Sequence, residues 1–500
     1  MGEPSVVIAA VDLGASSGRV VVGRGDRNGF TLHEVHRFVN RPVRTDGTLR
    51  WDAASLHLGV IQGLRAAVSE FGRLDAVSVD GWGVDYGLIH ETGELIVNPA
   101  HYRDPRTARP FAQVAGGDRN VTEAQLYAAT GIASHPFNTV FQLMAERDGG
   151  ALADARHVLL MPDLVTYWLS GAMGTEVTNA STTSLLDPRT MSWASEPVDA
   201  LGIPIGLFPS LRSAGDIAGS MSASVVAELG LASEPLVVIG PSHDTAAAVA
   251  GVPAEGEEFA YVCTGTWTLV GLELAGPVIN EAGRGAGFSN EVGVDGTIRF
   301  LRNVTGFWLV QECVREWQLA GKSVDLDRLT AAAADLPLGA ALIDVQDPAF
   351  TAPDGMPQRI REACLRTSGA DLSTEAETLR CILDSMAVAI RAAIRDAMRI
   401  AGRSVRTVHV VGGGVANTLF CQLVADACRR PVVAGPTEAA SWGNVLVQAR
   451  AIGAVTGTLP DLRAIVRLGS DLVTYWPRGD DSQWQRADDV VLASRAAGAG

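Results

Sequence analysis

Short apolar runs separated by glycine-rich turns organise the beginning of the chain. Val6 to Val11 is continuously apolar and rich in β-branched residues, which predicts a buried strand. A turn of Gly and Ser follows, and the runs Arg19 to Gly23 and Phe30 to Phe38 predict two more strands. The three strands are expected to form an antiparallel meander with a loop at its first turn.

The order of strand, glycine loop and strand recurs at two later places. Leu74 to Val79, Gly81-Trp82-Gly83 and Val84 to His90 predict a second unit of the same hairpin kind. In the second half, Glu258 to Leu274 repeats the order with Thr264-Gly265-Thr266 as the turn. Each half of the chain is therefore expected to present a hairpin whose turn is rich in Gly, Ser and Thr.

Apolar residues at helical spacing predict helices over Thr122 to Thr130, Pro162 to Leu169 and Glu375 to Ala401. Later, the apolar strand Val405 to Val411 runs into Gly412-Gly413-Gly414, and Ala416 to Cys428 then predicts a helix. A strand, a glycine loop and a helix in this order are typical of nucleotide contacts.

The length of 500 residues exceeds that at which one hydrophobic core stops growing, so two large domains are expected. The change from a strand to a small-residue helix near Gly240 to Gly256 predicts the border between them. We place the first domain at 1–245 and the second at 246–455. Residues 456–500 are predicted to form a C-terminal appendage, because the pattern weakens there.

Charge and composition exclude several classes of function. Hydrophobic residues make up 47% and charged residues 19% of the chain, which is typical of a globular enzyme. The net charge of -16 repels phosphate backbones and anionic lipid, so neither nucleic acid nor a membrane is an expected partner. The sequence predicts neither a signal peptide nor a membrane span, and we expect a cytoplasmic monomer or small homo-oligomer.

The six cysteines contain no Cys-x-x-Cys pair, which argues against a zinc site. Buried thiols are expected instead, because a reducing cytoplasm favours them. A disulfide between Cys364 and Cys381 is the alternative.

The loop Asp12-Leu13-Gly14-Ala15-Ser16-Ser17-Gly18-Arg19 carries the first candidate chemistry. Its small residues let backbone N–H groups approach an anion, while hydroxyl groups and Arg19 supply further donors. These features suit a polyphosphate, and the alternative is an ordinary hairpin turn with local hydrogen bonds. The similar turn at Thr264 to Thr266 favours phosphate binding, because two such turns can face each other across a cleft.

The segment Ser242-His243-Asp244-Thr245 lies where an apolar strand meets a predicted helix. In phosphoryl transfer to an alcohol, one carboxylate accepts the hydroxyl proton, and the helix dipole is expected to keep Asp244 ionised for that role. The alternative is structural, since Asp and Thr are preferred residues for capping a helix N-terminus.

The loop that contains Asp80, Trp82, Gly83 and Asp85 combines an aromatic ring with carboxylate acceptors. Sugars bind to such loops through a ring face and their hydroxyl groups. Trp82 suits a core position equally well, and the sequence leaves both interpretations open.

Taken together, these motifs resemble those of the FGGY carbohydrate kinases over about Val6 to Val445. The most specific strings are Val11 to Arg19, Trp82-Gly83-Val84-Asp85, Tyr102-Arg103-Asp104, Pro136-Phe137-Asn138-Thr139, Leu160-Met161-Pro162-Asp163, Ser242 to Thr245, Gly265-Thr266-Trp267, Val411 to Gly414 and Ala425-Asp426-Ala427-Cys428. The resemblance implies an α/β, two-domain, actin-like ATPase fold of the ribonuclease-H type with an interdomain catalytic cleft. It implies that 1–245 binds the sugar and 246–455 binds ATP.

Within the family, the strings are most similar to those of the branch that phosphorylates L-rhamnulose. This similarity implies transfer from Mg-ATP to the C1 hydroxyl, giving L-rhamnulose 1-phosphate in rhamnose catabolism, with Asp244 as proton acceptor. The implied sugar contacts are Gly83, His243, Thr245 and Asn303. The implied ATP contacts are Ala15, Ser16, Ser17, Gly18, Arg19, Thr266, Gln311 and Gly413, and Asp12 is implied to help hold magnesium.

Two alternative functions stay open, one because the sequence departs from the family pattern and one because of the two possible roles of Asp244. Gly81 stands where the family pattern has Thr, and Ala440-Ser441-Trp442-Gly443 replaces the more usual Ser-Thr-Leu-Gly. The nearest alternative is therefore an FGGY kinase for another ketose, such as fuculose or xylulose. The other is a non-catalytic actin-like ATP-binding sugar sensor, in which Asp244 only caps its helix.

Overall fold

The computed structural model describes residues 5–265 and 267–498 of the chain, which form a mixed α/β structure. The strands are β1 Val6–Leu13, β2 Ser17–Asp26, β3 Gly29–Val39, β4 Pro42–Thr45, β5 Thr48–Trp51, β6 Ala76–Gly81, β7 Tyr86–Ile89, β8 His157–Leu160, β9 Thr175–Glu176, β10 Leu186–Asp187, β11 Ser192–Trp193, β12 Leu211–Arg212, β13 Ile217–Ser220, β14 Leu236–Val238, β15 Phe259–Thr264, β16 Trp267–Leu274, β17 Ser289–Val292, β18 Ile298–Thr305, β19 Thr407–Gly412, β20 Val432–Ala434 and β21 Val473–Tyr475.

The helices are α1 Ala53–Phe71, α2 Ala108–Ala115, α3 Glu123–Thr130, α4 Thr139–Asp148, α5 Met161–Ser170, α6 Val177–Ala180, α7 Ser195–Ala200, α8 Ala223–Leu229, α9 Asp244–Ala250, α10 Glu281–Gly285, α11 Trp308–Leu319, α12 Leu326–Ala334, α13 Met356–Ser368, α14 Glu375–Ala401, α15 Thr418–Cys428, α16 Ala439–Ala451, α17 Leu459–Gly469 and α18 Ser482–Gly498. Single 3-10 turns lie at Pro105–Thr107, Ser181–Thr183, Ile205–Leu207, Val294–Gly296, Pro348–Phe350 and Gly413–Ala416. In the described part of the chain, no helix combines the length and the apolar character needed to cross a bilayer.

The chain divides into two compact units. Unit 1 comprises Met1–Pro253, Glu273–Phe300 and Ala439–Ser470. Unit 2 comprises Ala254–Leu272, Leu301–Glu438 and Asp471–Gly500. Each unit therefore gathers segments that are far apart in sequence. The domain borders predicted after residues 245 and 455 stay predictions.

Unit 1 contains a six-stranded sheet in the order β13-β14-β6-β1-β2-β3. The predicted meander is confirmed, because β1 pairs antiparallel with β2 and β2 pairs antiparallel with β3. β1 also pairs in parallel with β6, and β6 pairs in parallel with β14. A central strand of this kind is covered on both faces, which explains the unbroken apolar run of β1. The carboxyl ends of β1, β6 and β14 consequently meet at one edge of the sheet.

Unit 2 repeats this strand order around β15. Its sheet runs β18-β16-β15-β19-β20-β21, to which β18 contributes its Leu301–Thr305 part. β15 pairs antiparallel with β16 and parallel with β19, as β1 does with β2 and β6.

The long helix α14 of unit 2 has the bounds that the sequence predicts. Thr374 and Glu377 form a capping box at its start, and Gly402 ends it with φ 62°. Cys364 on α13 and Cys381 on α14 are buried thiols.

The predicted pairing of the second hairpin is wrong. β6 lies parallel to β1 and β14, whereas β7 pairs antiparallel with β8, which follows it by about seventy residues of sequence. The chain turns away from the sheet at Val84, which has φ 69° and whose carbonyl accepts a hydrogen bond of 2.7 Å from Thr139 Oγ1. The local pattern identified both strands, but their partners are distant in sequence and leave no local signal.

Helix α16 approaches the elements around the unit 1 sheet closely. A Cβ atom on Gly443 would overlap the carbonyl oxygen of Ala247 on α9, so the approach requires glycine there. One turn further, Gln448 Nε2 donates to the carbonyl of Ala9 on β1 at 3.1 Å and to Asn444 Oδ1 at 2.6 Å. Helix α16 thereby places the buried amide of Gln448 against the central strand of unit 1.

Candidate active site

Three loops meet at the carboxyl edge of the unit 1 sheet. Gly81 N donates to Ser242 O at 2.9 Å, and Trp82 N donates to Leu13 O at 3.3 Å. These bonds join the ends of β1 and β6 to the segment before α9. The predicted residues Asp12, Gly83, His243, Asp244 and Thr245 all lie at this edge or within a few residues of it.

The first loop, Gly14–Ser16, is fixed by hydrogen bonds at both ends. Gly14 N donates to Ser17 O at 3.0 Å, Asn40 Nδ2 donates to Gly14 O at 3.0 Å, and Asn40 N donates to Ser16 O at 3.1 Å. A Cβ atom on Gly14 would lie 2.5 Å from Ser17 O, so glycine is required for this tight turn. Ser16 is exposed, and the loop therefore presents it to solvent on a constrained backbone.

Asp244 is the first residue of α9, one position beyond the N-cap residue His243. It does not occupy the capping position, so the structural alternative for it is not supported. Its side chain is 36% exposed, and it accepts a hydrogen bond of 3.1 Å from Thr245 Oγ1. Desolvation by the surrounding protein raises the pKa of Asp244, a rise that His243 opposes and that the charge of Asp12 reinforces. A raised pKa makes the carboxylate a better proton acceptor.

The buried carboxylate of Glu176 holds the backbone that carries Asp244. Glu176 Oε2 accepts hydrogen bonds from Ser242 N at 3.1 Å, from Ser242 Oγ at 2.9 Å and from Asn179 N at 3.2 Å. Beside it, Thr178 Oγ1 accepts from His243 N at 3.2 Å. The segment before α9 is therefore anchored to α6 by several hydrogen bonds, which gives Asp244 a fixed starting point.

A second carboxylate, Asp80, lies beside Asp12 in the register of β1 and β6 and is fully buried. Asn444 Nδ2 donates to its Oδ2 atom at 2.5 Å, while Oδ1 has no hydrogen-bond partner among the described residues. Burial and the charge of Asp12 raise the pKa of Asp80 well above its ordinary value. Asn444 therefore holds this buried acidic side chain in place.

Asp85 holds the loop that contains Trp82 and Gly83, for which the sequence suggests sugar binding. Its carboxylate accepts hydrogen bonds from Trp51 Nε1 at 2.7 Å, Trp82 Nε1 at 3.1 Å, Gln142 Nε2 at 2.9 Å and Tyr102 N at 3.1 Å. The rings of Trp82 and Trp51 lie 4.2 Å apart, and Trp82 is buried. Trp82 is therefore a core residue.

Gly83 lies beside Thr182. A Cβ atom on Gly83 would lie 2.9 Å from Thr182 Oγ1. The same Thr182 Oγ1 accepts a hydrogen bond from Val84 N at 3.2 Å. A side chain at Gly83 would consequently push against the contact that holds the loop, which explains a glycine at this position.

In unit 2, a hydroxyl group takes the position that Asp12 has in unit 1. Thr264, at the end of β15, donates to Val411 O at 2.7 Å and accepts from Gly414 N at 2.9 Å. This residue ties the end of β15 to the glycine loop after β19. Gly413 is exposed, and a Cβ atom there would have no neighbour within 4 Å. The loop thus presents backbone of unit 2 to solvent.

The other predicted residues of unit 2 lie on neighbouring elements. Gln311 is exposed on α11, one turn after Phe307, whose backbone N donates to Gly265 O at 3.3 Å. Asn303 lies on β18, where its carbonyl accepts from Gln346 Nε2 at 2.8 Å. Thr266 lies outside the described residues.

Asp12 is the residue predicted to help hold magnesium. Arg19 Nε and NH2 donate to Asp12 Oδ2 at 2.8 and 2.6 Å, which keeps this carboxylate paired. Within residues 5–265 and 267–498, no group of three or more His, Cys, Asp or Glu side chains is arranged to hold a metal ion. Magnesium usually keeps several waters and takes one or two carboxylates together with substrate phosphates. The carboxylate of Asp12, which lies on β1 just before the Gly14–Ser16 loop, fits that mode of binding.

Several residues at this site were not found from the sequence. Glu176 and Asn444 lie far in sequence from Ser242 and Asp80, and nothing in the local pattern marks them as neighbours. Thr264 was included only as part of a turn. An amide inside the otherwise apolar stretch Trp442 to Val447 is a signal that marks Asn444, whereas Glu176 stands among other polar residues and has no such mark.

Comparison with models of known protein families assigns this chain to a family. The model of the FGGY family of carbohydrate kinases, N-terminal domain, matches residues 7–251, and the model of its C-terminal domain matches residues 260–452. The chain belongs to the FGGY family of carbohydrate kinases. It is therefore an ATP-dependent sugar kinase, and the family predicted from the motifs is confirmed.

Two curated relatives agree with this assignment. The chain is 36% identical over 482 residues to a rhamnulokinase from Bacteroides thetaiotaomicron, covering 96% of this chain and 97% of the relative. It is 39% identical over 459 residues to a rhamnulokinase from Enterococcus faecalis, covering 91% and 90%.

The solved structures show the fold. A xylulose kinase from Lactobacillus acidophilus matches with a TM-score of 0.83 at 16% identity, covering 99% of this chain and 98% of that chain. A glycerol kinase from Plasmodium falciparum with ADP matches with a TM-score of 0.75 at 15% identity, covering 99% of both. The predicted two-domain sugar-kinase fold is thus confirmed.

Proposed function

We propose that this enzyme transfers the γ-phosphoryl group of ATP to the C1 hydroxyl of L-rhamnulose, with Asp244 as the general base. The identity of 36–39% to curated rhamnulokinases supports the substrate. The observation that carries the role of Asp244 is its position at the unit 1 edge, partly exposed and with a raised pKa. A carboxylate that is both accessible and more basic than usual suits proton abstraction from an alcohol.

In the proposed reaction, the C1 oxygen attacks the γ-phosphorus while its proton passes to Asp244. The new bond joins the sugar oxygen to phosphorus, the bond between the γ-phosphorus and its bridging oxygen breaks, and ADP leaves. The protein mainly positions these groups and neutralises charge. We infer that Gly83, His243, Thr245 and Asn303 contact the sugar and hold the C1 hydroxyl at Asp244.

For the nucleotide, we infer phosphate contacts from the backbone of Ala15–Gly18 and from Arg19, Thr266, Gln311 and Gly413. The constrained Gly14–Ser16 loop and the exposed Gly413 support this inference, because backbone N–H groups on a fixed loop bind anions well. Asp12 would hold hydrated magnesium, which supplies charge neutralisation on the phosphates when it is bound. Arg19 would keep Asp12 oriented toward that ion.

A measurement of ADP release with Mg-ATP over a panel of sugars tests the proposal. The panel contains L-rhamnulose, L-fuculose, D-xylulose and a sample without sugar. We expect L-rhamnulose to give the highest kcat/KM. If another ketose gives turnover and L-rhamnulose gives none, the substrate is wrong. If no sugar stimulates ADP release above the sample without sugar, the catalytic role of Asp244 is wrong and a non-catalytic ATP-binding sugar sensor is favoured.

A further inference from the structure

A chain of ionisable side chains lies behind Asp244 in unit 1. His243 Nε2 lies 3.5 Å from Asp244 Oδ1, and His243 Nδ1 lies 3.2 Å from Glu291 Oε2. The same Glu291 oxygen lies 2.9 Å from Arg299 NH1. Four ionisable groups thus follow one another from the exposed carboxylate of Asp244 into the interior.

The inner members of this chain are buried and fixed. The side chains of Glu291 and Arg299 are 10% and 0% exposed. Arg299 is held by its remaining donors, because Nε and NH2 donate to Val292 O at 3.1 and 3.0 Å and NH2 donates to Thr178 O at 3.4 Å. A guanidinium group with this many backbone contacts has little freedom to turn.

Glu291 keeps its charge in this environment. Burial alone would raise the pKa of Glu291, but the charge of Arg299 and the contact with His243 outweigh burial and lower the pKa below its ordinary value. An ionised carboxylate only accepts hydrogen bonds, so a proton on the histidine nitrogen that faces it would let the two groups bind each other.

We propose that Glu291, paired with Arg299, is a positioning residue that binds the Nδ1–H group of His243 and so keeps Nε2 directed at Asp244. A carboxylate that fixes the tautomer and orientation of a histidine ring is a general device in catalytic and metal sites. With Nδ1 held in this way, the ring cannot flip, and the side of His243 that faces Asp244 and the sugar stays the same through turnover.

The proposal rests on the proposed role of Asp244 for its catalytic consequence only. The state of the His243 ring is measured in the resting enzyme and needs neither sugar nor turnover. The position of the His243 ring and the catalytic role of Asp244 can therefore be disproved separately.

The first experiment is nuclear magnetic resonance of the enzyme labelled with ¹⁵N in its histidine rings. The signals of His243 are assigned by their loss in His243→Asn. We expect Nδ1 of His243 to carry a proton in the wild-type enzyme and this preference to weaken in Glu291→Gln. A wild-type Nδ1 without a proton contradicts the proposal, and so does an unchanged pattern in a folded Glu291→Gln variant.

The matched control is Glu273→Gln. Glu273 forms a similarly buried ion pair with Arg463 at 2.8 Å, with side chains 10% and 5% exposed, elsewhere in unit 1. This substitution removes the same charge from the same kind of pair. We expect it to lower the melting temperature while the His243 signals stay as in the wild type. A similar change of the His243 signals in both variants would make Glu291 a general stability residue and overturn the proposal.

The second experiment is a double-mutant cycle on sugar phosphorylation. We expect Glu291→Gln to lower kcat about 10- to 100-fold with little change in the KM for ATP, because the misplaced ring disturbs the acceptor side of the reaction. In the His243→Asn background, the same substitution should lower kcat by less than about twofold, since Glu291 then has no ring to position. Full additivity of the two substitutions would show that Glu291 does not act through His243.

Discussion

The two sheets of this enzyme share one strand order but end in different chemistry. In unit 1, the central strand β1 carries Asp12 one residue before its end, with Asp80 on the parallel neighbour β6 and Asp244 after β14. In unit 2, the equivalent strand β15 ends at Thr264, and its parallel neighbour β19 ends in Gly412 and the glycine loop. One edge therefore carries three carboxylates, whereas the other carries a hydroxyl group and backbone.

This difference assigns different tasks to the two edges. A carboxylate can accept a proton or hold a cation, while glycine backbone presents N–H donors to a phosphate without adding negative charge. We therefore propose that the carboxylates of the unit 1 edge serve proton transfer and cation binding, while the unit 2 edge adds backbone donors for phosphate without adding negative charge. The predictions below test this division of tasks.

The largest expected effect is the loss of turnover when the proposed proton acceptor Asp244 is replaced. Asp244→Asn should lower kcat for L-rhamnulose about 10²- to 10⁴-fold, because an amide cannot take the hydroxyl proton. The fold and ATP binding should persist, since the side chain is partly exposed and lies outside the capping position. Steady-state kinetics and calorimetric titration with ATP measure the two properties. Near-normal turnover would remove Asp244 from the mechanism.

The buried side chain of Asp85 in unit 1 should make the free energy of unfolding depend on pH. Burial raises the pKa of Asp85 to about 6, against the hydrogen bonds that lower it. The folded enzyme therefore keeps this proton above the pH at which the unfolded chain releases it, and stability is lost as the pH rises from about 4 to about 6.

Asp85→Asn has no such proton to keep. Its free energy of unfolding relative to the wild type should rise by about 3 kcal/mol in total from pH 4 to pH 6, which corresponds to about two pKa units, and should then stay level. Thermal unfolding of both proteins at several pH values measures this difference. An equal pH dependence in both would show that Asp85 is already ionised in the folded enzyme at pH 4.

The hydroxyl group at the unit 2 edge should matter for stability and for nucleotide binding. Thr264→Val leaves Val411 O without its donor and Gly414 N without its acceptor, which should cost about 1–3 kcal/mol. The KM for ATP should also rise, because the glycine loop loses its attachment. Thr264→Ser keeps the hydroxyl and should stay close to the wild type in both melting temperature and KM. Equal behaviour of the two variants would contradict this account.

The smallest expected change in stability is at the exposed glycine loop. Gly413→Ala meets no atom within 4 Å, so the melting temperature should stay within the small range of surface substitutions. If this backbone approaches a phosphate, the added methyl group should still raise the KM for ATP. An unchanged KM would remove Gly413 from the nucleotide site. Gly14→Ala is the contrasting variant, since its Cβ atom would press on Ser17 O and lower stability as well.

The sequence predicted those parts of the molecule that depend on short-range pattern. The bounds of α14 followed from its periodicity and its capping residues, and the β1–β2–β3 meander followed from apolar runs and turns. The pairing of β7 with β8 and the support of Ser242 by Glu176 depend on residues far apart in the chain. Such contacts are decided by the packed fold, so a single sequence carries no local mark of them.

The site residues divide in the same way. Asp12 and Asp244 stood out because each follows an apolar strand, and the family motifs reinforced them. The raised pKa of Asp244 did not follow from the helix dipole alone, because burial and the charge of Asp12 act in the opposite direction. Burial and the neighbouring charge of Asp12 arise only once three strand ends meet at one edge.

The most direct test of the central claim is the position of the phosphate in the product. We propose that wild-type enzyme, Mg-ATP and L-rhamnulose be followed by ³¹P nuclear magnetic resonance with proton coupling. The account predicts a new phosphomonoester signal coupled to the two protons at C1, formed in equal amount with ADP. A signal of inorganic phosphate alone, or a phosphomonoester coupled to another carbon position, would contradict it.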